Sequence, residues 1–139
     1  MTRRSLVIGL HWATALLILV LLNDGVGTGW HLAFMAVGGV WLAIMVFGGP
    51  LGGPGPKLQG WARAMFRPLH LAMYGLLAGA VALTAAVPFG YATAAAARTA
   101  LIILLCLALF HAIFHLWRHT TLHDGALRMM TPRIWHKYL

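Results

Sequence analysis

Apolar residues fall in four long runs, at positions 5–22, 31–48, 69–87 and 99–117. None of them alternates with the two-residue period that membrane-barrel strands show. Each is close to the ~20 residues that a helix needs to cross the hydrocarbon core of a bilayer. In hydrocarbon only helices and closed barrels satisfy every backbone N–H and C=O. The pattern therefore predicts an all-α fold, an integral membrane four-helix bundle. The intervening segments agree with this division. Asn23-Asp24-Gly25 leads into a short turn, 48–60 is dense in Gly and Pro, and Val87-Pro88-Phe89-Gly90 closes the third run. Such residues break helices and favour turns. No repeat is visible, and residues 1–139 read as a single membrane domain.

Composition narrows the class further. The chain is 61% hydrophobic and 9% charged, with a mean hydropathy of +0.84, whereas a soluble domain is about a quarter charged. That leaves too little polar surface to cover a water-soluble globule, and the chain is too apolar to stay disordered. The isoelectric point near 11.3 would suit nucleic acid only if a folded module carried a basic face. Here the basic residues sit in small groups between apolar runs, so no nucleic-acid partner is expected. A lone Cys106 excludes a disulfide framework and Cys-based zinc or iron–sulfur sites.

The placement of charge predicts orientation. Arg3, Arg4, Lys57, Arg63, Arg67, Arg118, Arg128, Arg133 and Lys137 fall on one side of the four runs, and Arg98 alone on the other. Positive charge marks the cytoplasmic side, so both termini and the 48–60 loop are expected there, in a multi-pass protein of the cell inner membrane. The first run begins like a signal peptide but lacks a small-x-small cleavage site after it, and is read as a retained helix.

Neither Asp24 nor Asp124 lies within a run, so a carboxylate-based ion pump has no obvious carrier. The ionisable residues that enter the runs are histidines. His11 lies seven residues past Arg4 and His111 seven before Arg118, which puts both roughly 10 Å inside the same boundary. Two imidazoles at equal depth on separate helices can bind one haem iron from opposite faces. An intramembrane histidine also serves as a helix–helix hydrogen-bond partner, and spacing alone leaves both readings open. His111, His115 and His119 recur every four residues and are expected on one helix face. His123 continues the spacing. Metal binding, a pH-sensitive face and interfacial polarity are the readings for that row. His70, three residues past Arg67, is expected to be shallow, either bonding a haem propionate or facing headgroups.

Trp30, Trp41, Trp61, Trp117, Trp135, Tyr91 and Tyr138 are expected at the membrane interfaces, where amphipathic rings anchor. Gly75, Ala78, Gly79 and Ala82 read as a close-packing face of the third helix. Trp12, Phe110 and Phe114 are expected as walls of a haem slot, or equally as helix packing.

Two segments carry a family resemblance. Leu10-His11-Trp12, opening LHWATALLILVLL, resembles the first helix of the bacterial cytochrome b561 family, where a His-Trp pair opens the helix and the His binds haem. FHAIFHLWRHTTLHDGALRMMTP, at 110–132, resembles that family's fourth helix and tail, with His111, Arg118-His119 and Asp124-Gly125-Ala126-Leu127-Arg128 in register. PLHLAMYGLL, at 68–77, is similar to its third helix. The resemblance implies a b-type cytochrome that passes electrons to or from quinone, with His11 and His111 as axial ligands of a haem b near the cytoplasmic side. It also implies a second, outer haem held by a His early in the second helix and another fourteen residues before the fourth-helix ligand. His31 fits the first position, but Ala97 occupies the other. The outer site therefore reads as degenerate, with one haem expected and a second not.

A single inner haem would leave the outer half without a relay. That points to the quinone pool and to a larger redox complex or homo-oligomer as partners, beside the lipid bilayer. The rival reading is a haem-free structural or assembly subunit of a respiratory or photosynthetic complex, and the part is in either case an electron-transfer or assembly subunit rather than a stand-alone enzyme. The charge pattern yields a direct check of topology. A Lys57→Cys label site in a Cys106→Ser background should react with an impermeant maleimide only from the cytoplasmic face; reaction from the outer face alone would contradict the orientation.

Overall fold

Residues 2–27, 29–49 and 52–138 are described by the computed structural model of the chain. Four long helices dominate it: α1 (Arg3–Asp24), α2 (Trp30–Gly48), α3 (Gly60–Ala86) and α4 (Ala94–Thr121). A short α5 (Ala126–Met130) and 3-10 turns at Val87–Phe89 and Arg133–Tyr138 complete it. No strand occurs among the described residues. All four long helices are long and apolar enough to span a membrane, and the fold is that of a multi-pass helical membrane protein.

The helices outrun the apolar runs for local reasons. The Thr2 side chain accepts a hydrogen bond from Ser5 N, and Thr93 accepts one from Ala96 N at 3.1 Å. Each satisfies an amide that the first helical turn leaves without a partner. α3 starts at Gly60 rather than residue 69, running through Arg63, Arg67 and Pro68. The two arginines lie on its exposed side, so they interrupt hydropathy without interrupting the helix. Pro68 removes only the donor to the Ala64 carbonyl. At the other end, Val87–Phe89 tightens into a 3-10 turn that Gly90 closes at φ 74°.

α1 packs on α2, α2 on α3 and α3 on α4, and α4 closes the ring on α1. This neighbour order is what short connections impose on an antiparallel bundle. The half of the bundle beside the 25–29 turn is filled solidly. Leu21, Phe34, Ala80, Ala97 and Leu101 are all 0% exposed there. Arg98 lies at that end and donates to the Leu22 carbonyl at 2.6 Å, capping α1.

Two expectations about packing are corrected. Gly75, Ala78, Gly79 and Ala82 face outward, and a Cβ at Gly75 or Gly79 would meet nothing within 4 Å. The close approach is made instead by Gly38 on α2, where a Cβ would stand 2.8 Å from Val81 Cγ2 on α3. Trp41 is not an interfacial anchor. It sits midway along α2, 8% exposed, because the helix turns that position toward the bundle axis.

Gly38→Leu should force α2 and α3 apart, an overpacking that costs roughly 1–3 kcal/mol. Thermal unfolding in detergent, followed by circular dichroism, should show a lowered midpoint for Gly38→Leu and an unchanged one for Gly75→Leu. The reverse order would refute the packing assignment.

Candidate functional site

The other half of the bundle is not filled. Toward the end that carries both chain termini, the helices surround a cleft that is open on one side. Each helix lines it at helical spacing: Val7, His11, Thr14, Ala15 and Ile18 from α1, Phe66, His70, Met73, Tyr74 and Leu77 from α3, and Leu104, Ala108, His111, His115 and Arg118 from α4. Trp41 is the contribution of α2. Gly52, Gly53, Ala126, Met129 and Met130 close the base. Apart from the histidines, Arg118 and a few hydroxyl and indole groups, the lining is apolar.

His11 and His111 therefore do face one cavity, as their matched depth predicts, from neighbouring helices. His11 is edge-on to Trp41, with ring centroids 5.4 Å apart, and to Trp12 at 5.8 Å. His111 stands in a second cluster. Its ring centroid is 4.8 Å from that of His70 and 4.4 Å from that of His115. The nitrogens of His70, His111 and His115 include a set in which all lie within 4.8 Å of one another.

His70 lines the cleft, with its ring beside that of His111. α3 begins at Gly60, well before Arg67, so His70 lies ten residues into the helix rather than near its start. His70 Nδ1 donates to the Phe66 carbonyl at 2.7 Å, which fixes the neutral tautomer and leaves the Nε2 lone pair uncommitted. His111 Nδ1 and both ring nitrogens of His115 are buried without a hydrogen-bond partner. Buried polar atoms in that condition are uncommon and costly, and they mark where a ligand has most to gain.

The third residue of the α4 row is Arg118, not His119. Seven residues advance a helix by about two turns less 20°, whereas eight overshoot by about 80°. Arg118 consequently falls in line with His111, and it lines the cleft where His119 does not. His123 lies past the end of α4, with φ 50°, and its carbonyl accepts from Lys57 Nζ at 3.0 Å. His31 sits in the first turn of α2, beyond the filled half and away from the cleft. The expected walls also change. Trp12 donates instead to the Met130 carbonyl at 3.0 Å, Phe110 is exposed, and Phe114 packs with Leu58 and Leu69. The aromatic walls are Trp41, Phe66 and Tyr74.

Sequence reasoning missed the ion pair beneath the histidines. Arg118 Nη2 lies 2.6 Å from Asp124 Oδ2, with the side chains 5% and 3% exposed. Arg118 Nη2 also donates to the Pro54 carbonyl at 3.1 Å, and the guanidinium carbon lies 5.2 Å from the Phe66 ring centroid. Asp124 Oδ1 accepts from Ala126 N at 2.9 Å. The loop must come close for this. Gly55, at φ +71°, would with a Cβ meet Arg118 Nη2 at 3.3 Å, so glycine serves both the backbone angle and the space. The six-residue separation of Arg118 and Asp124 was the available signal, since it spans a helix end and lets the tail fold back.

Comparison with protein-family models, curated proteins and solved structures found no match, so the functional reading rests on the residues themselves.

Removing one partner of a buried ion pair strands the other charge, at about 3–5 kcal/mol, whereas replacing both by apolar groups is often neutral. Asp124→Ala should lower the unfolding midpoint sharply and open the 49–59 loop to protease. The double variant Arg118→Met, Asp124→Leu should recover most of the loss. Equal damage from single and double variants would contradict the pairing.

Proposed function

We propose that this is a b-type cytochrome subunit of the inner membrane, exchanging single electrons with the quinone pool through one haem held by His11 and His111. The observation that carries the reading is that the two histidines paired by depth and by motif register line one apolar cleft, from α1 and from α4. When bound, a haem b supplies a one-electron ferric–ferrous couple.

The chain's own residues suit that group. Ala15 stands one turn beyond His11 and Ala108 about one turn before His111, and these small side chains leave room beside each imidazole for a flat macrocycle. Val7, Ile18, Leu77 and Leu104 are buried around the slot and keep water out. Trp41, edge-on to His11, limits the orientations its ring can take. His70 is the side chain placed to meet a propionate. Because its Nδ1–H is committed to Phe66, it would meet a carboxylate only as imidazolium.

A single haem per chain follows from the same residues. The far half is packed, with Ala97 fully buried in the first turn of α4, and Ala97 has no ligating atom to join His31. With the redox centre at one end, electrons from the other side would reach it through a diffusing quinone or a neighbouring subunit's cofactor. This is the reason for placing the chain in a larger redox complex or a homo-oligomer.

Pyridine haemochrome analysis of the purified chain should give one haem. His11→Ala and His111→Ala should each lose at least nine-tenths of it, and His31→Ala should keep it. Two haems per chain, undiminished haem in both axial variants, or a folded chain that takes up none would overturn the proposal, the last in favour of the haem-free subunit.

A further inference from the structure

The cleft holds more imidazoles than a bis-histidine haem uses. His70 and His115 converge with His111 from two helices, one ring nitrogen of each lying within 4.8 Å of the others. Three features make this a ligand set rather than a packing accident. His70 has its Nδ1–H bound to the Phe66 carbonyl, the arrangement by which metal-binding histidines orient the free nitrogen. His115 has two buried nitrogens with no protein partner, and His111 has one. Finally, the Arg118 guanidinium that lines the same cleft is paired with Asp124 at 2.6 Å, which offsets part of the positive charge that an incoming cation would meet.

We infer that His70, His111 and His115 form a site for one divalent first-row transition ion, and that this ion and haem exclude each other because both need His111. An all-imidazole set with no carboxylate suits zinc, copper, nickel or cobalt and not magnesium or calcium. Three histidines and an open fourth position is an arrangement that zinc adopts. Tetrahedral zinc, with Zn–N near 2.0–2.1 Å, spaces its donors about 3.3 Å apart. The rings therefore close by roughly 1.5 Å at the widest pair, a movement within the reach of side-chain rotation. His11 lies outside the set, so the two ligands are separable. Metal uses His70, His111 and His115, haem uses His11 and His111, and only His111 is common. The metal site stands without the haem reading; the exclusion rests on it.

The test uses the full-length, haem-free chain in detergent, with Zn²⁺ as probe against a chromophoric chelator. Wild type and His11→Ala should each bind one zinc tightly. His70→Ala, His115→Ala and His111→Ala should each weaken binding at least 30-fold. A Cys106→Ser, His123→Ala, His136→Ala chain should bind as wild type. In haem titrations, His115→Ala should still load haem, which also shows that it folds, the unfolding midpoint serving as the folding control for His70→Ala, and stoichiometric Zn²⁺ should suppress loading of wild type at least tenfold. Unchanged zinc affinity in His70→Ala and His115→Ala, or loss in the His123, His136 chain, would overturn the site. Undiminished haem loading of zinc-bound wild type would overturn the exclusion. If wild type takes up no haem at all, the haem reading fails while the zinc series still decides the site, with unfolding midpoints as the folding control.

Discussion

Hydrocarbon offers no hydrogen bonds, so a polar group carried into it must find its partner within the protein or remain several kcal/mol worse off than in water. The backbone meets this demand by forming α1 to α4. The charged side chains meet it at the end that carries the termini. Arg3 donates to the Gly49 carbonyl, Arg4 to that of Arg128, Lys57 to that of His123 and Arg63 to that of Gly55. Arg118 and Asp124 satisfy each other and fasten both the segment around Pro54 and the tail. The basic residues that predict orientation thus also tie the loop and tail across the base of the cleft. Among the described residues, the buried polar atoms left without a hydrogen-bond partner include three nitrogens of His111 and His115 above them, with Thr14 Oγ1 and Trp41 Nε1 on the same cleft.

The fold was largely readable in the sequence, because the bilayer allows so few alternatives to an apolar run of membrane-spanning length. The limits of α3 and α4 were not. Hydropathy stops at Arg63, Arg67 and Pro68, whereas hydrogen bonding continues through them. That His11 and His111 line one cavity was legible from their matched depth, since distance along a helix from a basic flank is a one-dimensional measure. Lateral placement was harder. Trp41 reads as an anchor and sits in the core; Gly75 and Gly79 read as a contact and face outward while Gly38 makes it. Only rotation about each helix axis decides such cases, and weakly amphipathic membrane helices do not display it. The substitution of Arg118 for His119 in the α4 row is the same lesson, one residue in eight turning a side chain out of line.

The two halves of the bundle divide the labour. Beside Arg98 the core is closed by Phe34, Ala97 and Leu101, and stability is built there. Toward the chain ends the small residues Ala15 and Ala108 and the glycines of the loop hold a cavity open, at the expense of packing that the same helices could otherwise make. That cavity is lined by four histidines, His11, His70, His111 and His115, in otherwise largely apolar surroundings. In the proposed reading His111 is common to both sets, with His11 for haem and with His70 and His115 for a metal ion.

The central claim is that iron lies between His11 and His111. Electron paramagnetic resonance of the oxidised, haem-loaded chain tests it most directly, since two axial imidazoles impose a low-spin ferric state. The account predicts a low-spin signal in wild type that turns high-spin in whatever haem His11→Ala retains. A high-spin signal in wild type, or a low-spin one unchanged by that substitution, would contradict it.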